Sequence, residues 1–336
     1  MPATVKDLSH KTGLGLATIS KYLNGGMVRE KNRVSIERAI DELSFERNEI
    51  ARALKTNRSY TIGVILPELN NVFFTSIVSM MSDLFRERGY GTIVCDCRSD
   101  LKQEADIVKF VLGKRVDGII DVPVGNGISH LTPAIKRGIP IVLLDRRTSS
   151  ENVTHIFVDN EEKAYQITKI LTDNQHRRIG ILCGPRELYT TKERLAGYVR
   201  ALSQAGVELN PDWVIYTKYD VDGAYAGMEK LLAVTPAISA VFSTNREISL
   251  GMSMALSERG KSVPEDLSAV TFDSVFSPVR YSSGITAVHQ PYDLIAKTAS
   301  EVLLGRFAGE QMPNTIQLEA EIIIGNSVKK WEENSG

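Results

Sequence analysis

The sequence predicts a small all-α head followed by a larger α/β body, and three observations lead to this prediction. The first 58 residues show the helical spacing of apolar residues and are rich in basic side chains. From Thr61 onward, short apolar runs rich in β-branched residues alternate with helical segments. These runs lack a polar alternate face, which is typical of parallel strands covered by helices on both sides. At 336 residues, the chain is long enough for two or three domains.

Two short helices joined by a glycine-containing turn are predicted at the start of the chain. Thr4 and Asp7 form a capping-box-like pattern that begins the first helix, and Gly13 supplies the turn. A second helix runs from about Leu16 to Leu23 before Asn24-Gly-Gly26 ends it. This is the pattern of a helix-turn-helix unit, whose second helix enters the major groove of DNA. The sequence therefore predicts a DNA-binding head.

A third predicted helix spans Glu30 to Leu43 and closes a small three-helix core. The apolar residues on its expected inward face are Val34, Ile36, Ala39, Ile40 and Leu43. Residues 1–58 carry five Lys and six Arg against seven acidic residues, a net charge of +4 on a chain whose total is -1. A basic head on a mildly acidic body suits a nucleic-acid contact confined to the head. The short segment after it, residues 47–58, is marginal as an isolated helix and is expected to be a linker that folds on binding.

Seven apolar runs are the predicted strands of the body. They are Ile62–Leu66, Thr92–Cys97, Val116–Ile120, Ile139–Leu144, Ile179–Cys183, Ala240–Phe242 and Leu267–Phe272. About 270 residues of this pattern are enough for two doubly wound parallel-sheet subdomains. Ligands of such folds bind beyond the carboxyl ends of the strands, so a cleft between the two sheets is the expected binding site.

Several classes of protein are not supported by the sequence. No apolar segment approaches the roughly 18 residues that cross a membrane, and charged residues interrupt any N-terminal signal-like run. Cys95, Cys97 and Cys183 have no histidine cluster nearby, so free thiols and no metal site are expected. No phosphate-binding loop or nucleophile elbow is present. We therefore expect a cytoplasmic protein that is not an enzyme and needs no cofactor.

Several motifs occur along the chain in an order that characterises one protein family. In the head and linker they are Thr4-Val-Lys-Asp-Leu8, Ala17-Thr-Ile-Ser20, Leu23-Asn24-Gly25, Asn48–Leu54 and Thr61–Pro67. In the body they are Asn71-Val-Phe-Phe74, Val116–Ile120, Leu144-Asp-Arg146 and Arg194–Tyr198. On these motifs, the chain resembles the lactose-repressor (LacI/GalR) family of bacterial transcription regulators over essentially its full length.

The resemblance implies three segments and a periplasmic-binding-protein-like body. Residues 1–46 would be the helix-turn-helix DNA-binding domain, 47–59 the hinge helix or linker, and 60–336 the effector-binding and dimerisation domain. Within the body, an N-subdomain would comprise about 60–159 and 291–318. A C-subdomain would comprise about 160–290 and 319–331.

The resemblance also implies roles for residues of the head and linker. Leu16, Ala17 and Lys21 would contact base edges, and the residues expected to contact phosphates are Thr4, Thr18, Ser20 and Asn24. Lys21 lacks the bidentate fork of the Arg that the family often has there, which would weaken discrimination of guanine. Leu54 would wedge open the central base step in the minor groove. The competing interpretations are a core position for Leu16, a solvated charge for Lys21 and packing of the linker onto the body for Leu54.

For the cleft, the resemblance implies a sugar-like effector held by polar groups against an aromatic wall. The residues expected to bind it are Asn71, Phe73, Phe74, Asp145, Arg146, Arg194, Asn245, Asp273 and Gln290. Each could instead have a structural role, and the two phenylalanines could belong to the core. Together with Arg147 and Arg246, the cleft arginines could also form an unusually cationic site, which would suit a phosphorylated sugar or a sugar acid.

The function implied is that of a homodimeric, ligand-controlled repressor of carbohydrate-utilisation genes. Its partners would be palindromic operator DNA and a sugar or sugar-phosphate effector, with no membrane contact. Two alternatives remain: a sugar-binding protein without specific DNA readout, and a regulator controlled by a phosphocarrier protein as corepressor. An α/β enzyme acting on sugars or nucleotides has no motif to support it.

We expect Leu54→Ala to weaken binding to specific operator DNA far more than binding to random DNA. The reason is that only the specific complex needs a wedge at the central base step. Mobility-shift titrations on the two DNAs measure the difference. An equal loss on both would contradict the wedge and favour packing of the linker onto the body.

Overall fold

The structure is a computed structural model that describes residues 3–23, 25–45, 56, 58–148, 150–273 and 284–332. The chain forms two compact units, Met1–Ser59 and Tyr60–Gly336, which we call the head and the body. Among the described residues, no helix is both long enough and apolar enough to cross a membrane. Two residues expected to contact DNA, Asn24 and Leu54, lie outside the described residues.

The head contains the three predicted helices: α1 (Val5–Thr12), α2 (Leu16–Leu23) and α3 (Glu30–Leu43). The capping box at the start of α1 is formed, because the Thr4 hydroxyl accepts from the Asp7 backbone N–H at 3.4 Å. The Asp7 carboxylate in turn accepts from the Thr4 backbone N–H at 2.7 Å. Gly13 ends α1 in the left-handed region at φ 66°, a conformation that glycine adopts without steric penalty. The predicted helices are thus confirmed.

The core of the head differs from the prediction at one position. Its buried apolar residues are Leu8, Ile19, Ile36 and Ala39, with Ile40 and Leu43 partly buried beside them. Val34, expected on the same face of α3, is 51% exposed. The error is one of phase, because two residues along an α-helix correspond to a rotation of about 200°. Val34 therefore lies nearly opposite Ile36.

The body contains two six-stranded sheets. The first has the order β11-β5-β4-β3-β1-β2 with all strands parallel. Its strands are β1 (Thr61–Leu66), β2 (Gly91–Asp96), β3 (Gly118–Asp121), β4 (Ile141–Leu144), β5 (Thr154–Val158) and β11 (Thr315–Leu318). The second has the order β12-β10-β9-β8-β6-β7, in which β12 runs antiparallel to β10. Its strands are β6 (Ile179–Cys183), β7 (Val214–Tyr216), β8 (Ala240–Ser243), β9 (Ser268–Phe272), β10 (Thr286–His289) and β12 (Glu321–Ile323).

Helices connect the strands and cover the sheets. They are α4 (Val72–Glu87), α5 (Leu101–Gly113), α6 (Thr132–Lys136), α7 (Asn160–Asp173), α8 (Tyr189–Gln204), α9 (Val221–Ala233), α10 (Arg246–Glu258) and α11 (Tyr292–Ala308). Two 3₁₀ turns, Ser129–Leu131 and Pro211–Trp213, precede α6 and β7. β3, β4, β5, β6, β8 and β9 are buried along their whole length. The predicted α/β architecture with two parallel sheets is therefore confirmed, and β12 is an antiparallel edge strand that the prediction did not include.

The close packing of α7 against α8 bears directly on the body's main cavity. Gly197 lies at the contact, where an added Cβ atom would be 2.2 Å from the carbonyl oxygen of Glu161 and 2.6 Å from the backbone nitrogen of Tyr165. The same pair of helices brings Asn160, at the start of α7, to Arg194 on α8, where the Arg194 Nε donates to the Asn160 Oδ1 at 2.8 Å. A glycine at position 197 therefore helps to set the position of Arg194.

We expect Gly197→Ala to lower the free energy of unfolding by about 1–3 kcal/mol, because the clash with backbone atoms outweighs the helical preference of alanine. Urea titration followed by circular dichroism measures the change. Gly113→Ala is the matched control, since a Cβ there meets no atom within 4 Å. Equal stability of the two variants would contradict the packing role of Gly197.

Candidate functional site

A cavity of about 450 Å³ opens in the body among loops that follow strands of both sheets. Pro67 and Asp145 follow β1 and β4 of the first sheet, whereas Pro185, Asn245 and Asp273 follow β6, β8 and β9 of the second. This is the predicted position, beyond the carboxyl ends of parallel strands. The volume is that of a pocket for a small organic molecule.

The cavity brings together all nine residues that the sequence placed in a ligand site. They are Asn71, Phe73, Phe74, Asp145, Arg146, Arg194, Asn245, Asp273 and Gln290. The two phenylalanines are 9% and 7% exposed, so they belong to the core as well as to the cavity wall. The expected ligand-site position and the competing core position therefore each describe part of the environment of the two phenylalanines.

Arg194 is a buried guanidinium fixed on several sides. Its Nε donates to Asn160, and its Nη1 donates to the backbone carbonyl of Thr244 at the end of β8. Its Cζ lies 3.7 Å from the centroid of the Phe272 ring, which is a close cation–π contact. With these contacts, Arg194 can offer its remaining N–H groups to a ligand without moving.

Asp145 and Arg146 follow β4, and polar atoms of both side chains make no hydrogen bond with the residues that the structure describes. The Asp145 backbone is in the left-handed region at φ 65°, and its carboxylate makes no hydrogen bond or ion pair within the described part of the chain. Burial raises the pKa of Asp145, although the charges of Arg194 and Arg146 oppose this. Arg146 is 5% exposed, and its Nε and Nη1 lack hydrogen-bond partners among the described residues. An acceptor and a donor are thus available side by side.

Asp273 and Gln290 form a second polar pair on the other sheet. The Gln290 Nε2 donates to the Asp273 Oδ2 at 2.6 Å, and the Tyr292 hydroxyl donates to Oδ1 at 3.3 Å. Burial raises the pKa of Asp273, while the charge of Arg194 and these two hydrogen bonds lower it. The Gln290 Oε1 is buried without a partner among the described residues and can accept from a ligand.

Two asparagines of the cavity also begin helices. The Asn71 Oδ1 accepts from the backbone N–H groups of Phe73 and Phe74 at the start of α4, at 3.0 and 3.4 Å. The Asn245 Oδ1 accepts from the Ile248 N–H at the start of α10, at 2.8 Å. Helix capping therefore fixes the direction of both side chains. The Phe73 and Phe74 rings, 5.1 Å apart between centroids, follow directly from the first cap.

The charges that line the cavity are balanced. The basic side chains are Arg98, Arg146, Arg194, Lys218 and Arg246, and the acidic ones are Glu68, Asp145, Asp220, Glu247 and Asp273. Arg147 does not line the cavity; its guanidinium carbon lies 5.8 Å from the Phe157 ring centroid, and the residue is exposed. The expectation of an unusually cationic cleft is therefore wrong. The expectation was based on the number of arginines near the predicted strand ends and did not take into account the direction of each side chain.

The sequence analysis missed several residues of the cavity. They are Glu68, Arg98, Ser99, Lys218, Tyr219, Asp220 and Glu247. Glu68 follows the predicted β1 closely, so its position after a strand could have identified it. Lys218, Tyr219 and Asp220 follow β7, which has three residues and was too short to be recognised.

The head presents the predicted DNA-contacting residues on its surface. Leu16 is 48% exposed, and Ala17 and Lys21 are also exposed, whereas Ile19 on the same helix is buried. The competing interpretation of Leu16 as a core residue is therefore wrong. Among the residues expected to contact phosphate, Thr4 is exposed, and Thr18 and Ser20 are half-buried.

Residues 59–324 match a family model described as periplasmic binding proteins and sugar binding domain of the LacI family. The transcriptional repressor PurR of Vibrio campbellii is 31% identical over 336 residues, covering 98% of this chain and 99% of PurR. A complex of the transcriptional regulator CelR with cellobiose is 27% identical with a TM-score of 0.72, covering 97% of this chain and all of CelR. The fold is also that of the lac repressor dimer bound to operator and the anti-inducer ONPF. That structure is 22% identical with a TM-score of 0.85, covering 98% and 100% of the two chains.

We expect Asp145→Asn to raise the free energy of unfolding by about 1 kcal/mol at neutral pH. The folded-state pKa is raised, so ionised Asp145 is less favourable in the folded protein, and stability falls as the pH rises from the unfolded pKa to the folded one. The gain should disappear below about pH 4, where the carboxyl is protonated in both states.

Urea titrations at the two pH values test this prediction. Asp273→Asn is the control, because that carboxylate accepts two hydrogen bonds and should show no such gain. An Asp145→Asn variant that is less stable than the wild type at neutral pH would contradict the prediction.

Proposed function

Because the chain belongs to the LacI family of transcription regulators, which are not enzymes, we propose that it is a dimeric repressor whose binding to operator DNA is controlled by a sugar. The sugar binds in the cavity of the body. The observation that carries this proposal is the pair Asp145 and Arg146, which lines the same cavity as the Asp273–Gln290 pair and keeps Arg146 donors unbonded among the described residues.

The polar groups of the cavity suit adjacent hydroxyl groups. The Asp145 carboxylate and the Gln290 Oε1 can accept from them, and Arg146 can donate. Leaving a buried guanidinium unpaired is unfavourable, so a ligand that accepts from Arg146 gains affinity from removing that penalty. Phe73 and Phe74 provide an apolar wall for the C–H face of a sugar ring.

The charge balance favours a neutral sugar over a phosphorylated one. Five acidic and five basic side chains line the cavity, so a phosphate would meet carboxylates as well as guanidinium groups. The similar regulator CelR, whose structure contains cellobiose, is consistent with a neutral ligand. We therefore place a neutral sugar ahead of a sugar phosphate, and both ahead of a phosphocarrier protein.

The head supplies the DNA contacts in this proposal. Leu16, Ala17 and Lys21 meet base edges of one half-site, while Thr4, Thr18, Ser20 and Asn24 hold phosphates. Two heads of a homodimer match a palindromic operator, with Leu54 of each linker at its centre. The segment division proposed is 1–46 for the head, 47–59 for the linker and 60–336 for the effector domain, and the regulated genes are those of carbohydrate use.

Control follows from linkage between the two sites. A sugar that contacts both sheets favours one relative orientation of the two subdomains, and that orientation sets the spacing of the linkers. Coupling of this kind is reciprocal, so a ligand that weakens operator binding binds less tightly to the protein–DNA complex.

Selection from a random-core palindromic DNA library, with and without neutral sugars and their phosphates, tests the proposal. We expect an enriched palindrome whose recovery changes with a neutral sugar, and calorimetry should show binding of that sugar and little binding of its phosphate. An enriched palindrome whose recovery no sugar changes would support the DNA-binding function but contradict the sugar effector. Tight binding of the sugar phosphate without binding of the neutral sugar would contradict the preference for a neutral ligand.

Adjacent arginines provide a matched pair of variants. Arg146→Gln should lower the affinity of the protein for the sugar by about tenfold or more, because it removes a buried hydrogen-bond donor. Arg147→Gln should leave it unchanged, because that residue is exposed and outside the cavity. Equal effects would contradict the assignment of Arg146.

A further inference from the structure

A buried triad of Glu104, Asp121 and His130 adjoins the cavity wall. The His130 Nε2 lies 2.9 Å from the Asp121 Oδ2, and its Nδ1 lies 3.6 Å from the Glu104 Oε2. Both carboxylates are fully buried, and the imidazole side chain is 6% exposed. The ring therefore stands between two carboxylates, with one at each nitrogen.

The two carboxylates favour the imidazolium form of His130, which carries a proton on each ring nitrogen. The Glu104 Oε2 has no hydrogen-bond partner within the described residues, and the Asp121 Oδ2 is bonded to the ring Nε2, so the two ring nitrogens are the donors that face these two oxygens. A neutral imidazole carries one N–H, whereas the imidazolium carries two and can serve both carboxylates. Burial alone would lower the pKa of His130. The hydrogen bond and charge of Asp121, together with the charge of Glu104, raise it by more, so the pKa lies above its ordinary value.

The triad reaches the cavity through two residues. The Glu104 Oε1 accepts from the backbone N–H of Val124 at 2.7 Å, and Val124 lines the cavity. Burial raises the pKa of both Glu104 and Asp121, and the charge of Arg146, which also lines the cavity, opposes this rise. The imidazolium and the Arg146 guanidinium together balance the two carboxylates, so Arg146 keeps its hydrogen-bond donors free for a ligand.

The groups that face the triad come from several elements. Glu104 lies on α5, Asp121 ends β3, His130 lies in the 3₁₀ turn before α6, and Arg146 follows β4. Cys97, after β2, is the remaining titratable neighbour; burial and the two carboxylates raise its pKa to about 12, and its thiol donates to the Leu66 carbonyl. Cys97 is therefore neutral near pH 7, whereas burial raises the pKa of Glu104 to about 7 and the two carboxyl groups raise the pKa of His130 against the effect of burial.

We propose that Glu104, Asp121 and His130 are positioning residues of the ligand cavity, which hold Val124 and Arg146 in place while the triad retains its proton. When the proton is lost, the ring can donate to one carboxylate only. The other carboxylate then attracts Arg146, whose charge acts on both carboxyl groups, and the hold on the Val124 segment weakens. The inference rests on the proposed function for its consequence, a weaker affinity for the sugar at higher pH.

The direction of the pH dependence follows from both groups. His130 has a raised pKa, so its stabilising effect is complete below its ordinary pKa and is lost as the pH rises through the raised value. Burial and the charge of Asp121 raise the pKa of Glu104 to about 7, so its protonated form is also favoured in the folded state. The hydrogen bond from Val124 favours the ionised form of Glu104, so the loosening of the cavity wall above neutral pH comes from His130 and is opposed by Glu104.

Hydrogen–deuterium exchange of the unliganded full-length protein tests the proposal without a known effector. Mass spectrometry of peptides covering residues 118–128 is carried out from about pH 6 to about pH 8.5, with rates corrected for the intrinsic effect of pH. We expect the protection of the Val124 amide to fall by about tenfold over this range, the size of one lost hydrogen bond. Protection that does not change with pH would overturn the proposal.

Three variants identify the group responsible. His130→Gln should show low protection of this segment without the fall that the wild type shows as the pH rises, and Glu104→Gln should keep the bond to Val124 but lose much of the pH dependence. His176→Gln is the matched control, since His176 is also buried but bonds to Ser239 and Lys329 away from the cavity, and it should keep the wild-type profile. A wild-type profile in His130→Gln would overturn the proposal.

A divalent cation is the competing occupant of the triad, because one ligand atom from each residue lies within 4.8 Å of the others. Thermal unfolding with added Zn²⁺ and with EDTA distinguishes it. We expect no change in Tm that depends on His130. If Zn²⁺ raises the Tm of the wild type but not that of His130→Gln, the triad binds a metal ion, and the proposal that it holds a proton is overturned. These readouts do not use the sugar, so they remain informative if the proposed function fails.

Discussion

The buried guanidinium of Arg194 is the constraint on which the ligand cavity depends. It is bonded to Asn160 at the start of α7 and to the carbonyl of Thr244 after β8, and it stacks on Phe272 of β9. One side chain thus connects two helices and two strand ends of the second sheet. Its charge also opposes the rise in pKa that desolvation causes at Asp145 and Asp273, one carboxyl following a strand of each sheet. Without that cation, desolvation of Asp145 would be opposed by the charge of Arg146, and that of Asp273 by the neutral hydrogen bonds from Gln290 and Tyr292.

Helix termini extend this order to the rest of the cavity. Asn71 and Asn245 each use a side-chain oxygen to cap a helix that starts at the cavity, so their orientation does not depend on a ligand. The aromatic wall follows from the first of these caps, since Phe73 and Phe74 are the residues whose N–H groups it holds. A cavity built in this way is largely pre-organised, which reduces the entropy lost when a ligand binds.

The sequence predicted most of the architecture, and the strands that it did not predict show why. Long buried strands were found because both faces are apolar, whereas β7 and β12 have three residues each and β11 is partly exposed. Cavity residues that directly follow predicted strands were found by their position. The triad beside the cavity was not, because its members lie on a helix, a strand and a 3₁₀ turn that meet only in the fold. The resemblance to a family supplied the roles of Asn24 and Leu54, which lie outside the described residues.

The two sheets have equivalent strand orders, and the third strand of each, β4 or β9, is followed by an aspartate in the left-handed conformation. Asp145 has φ 65° and Asp273 has φ 58°. The cavity thus lies between two versions of one structural device, related by an approximate repeat within the body. A ligand held by both carboxylates acts as a cross-link between the two halves. Under the proposed function, affinity and the relative orientation of the halves depend on the same contacts, so a molecule that satisfies only one aspartate would occupy the cavity without changing that orientation.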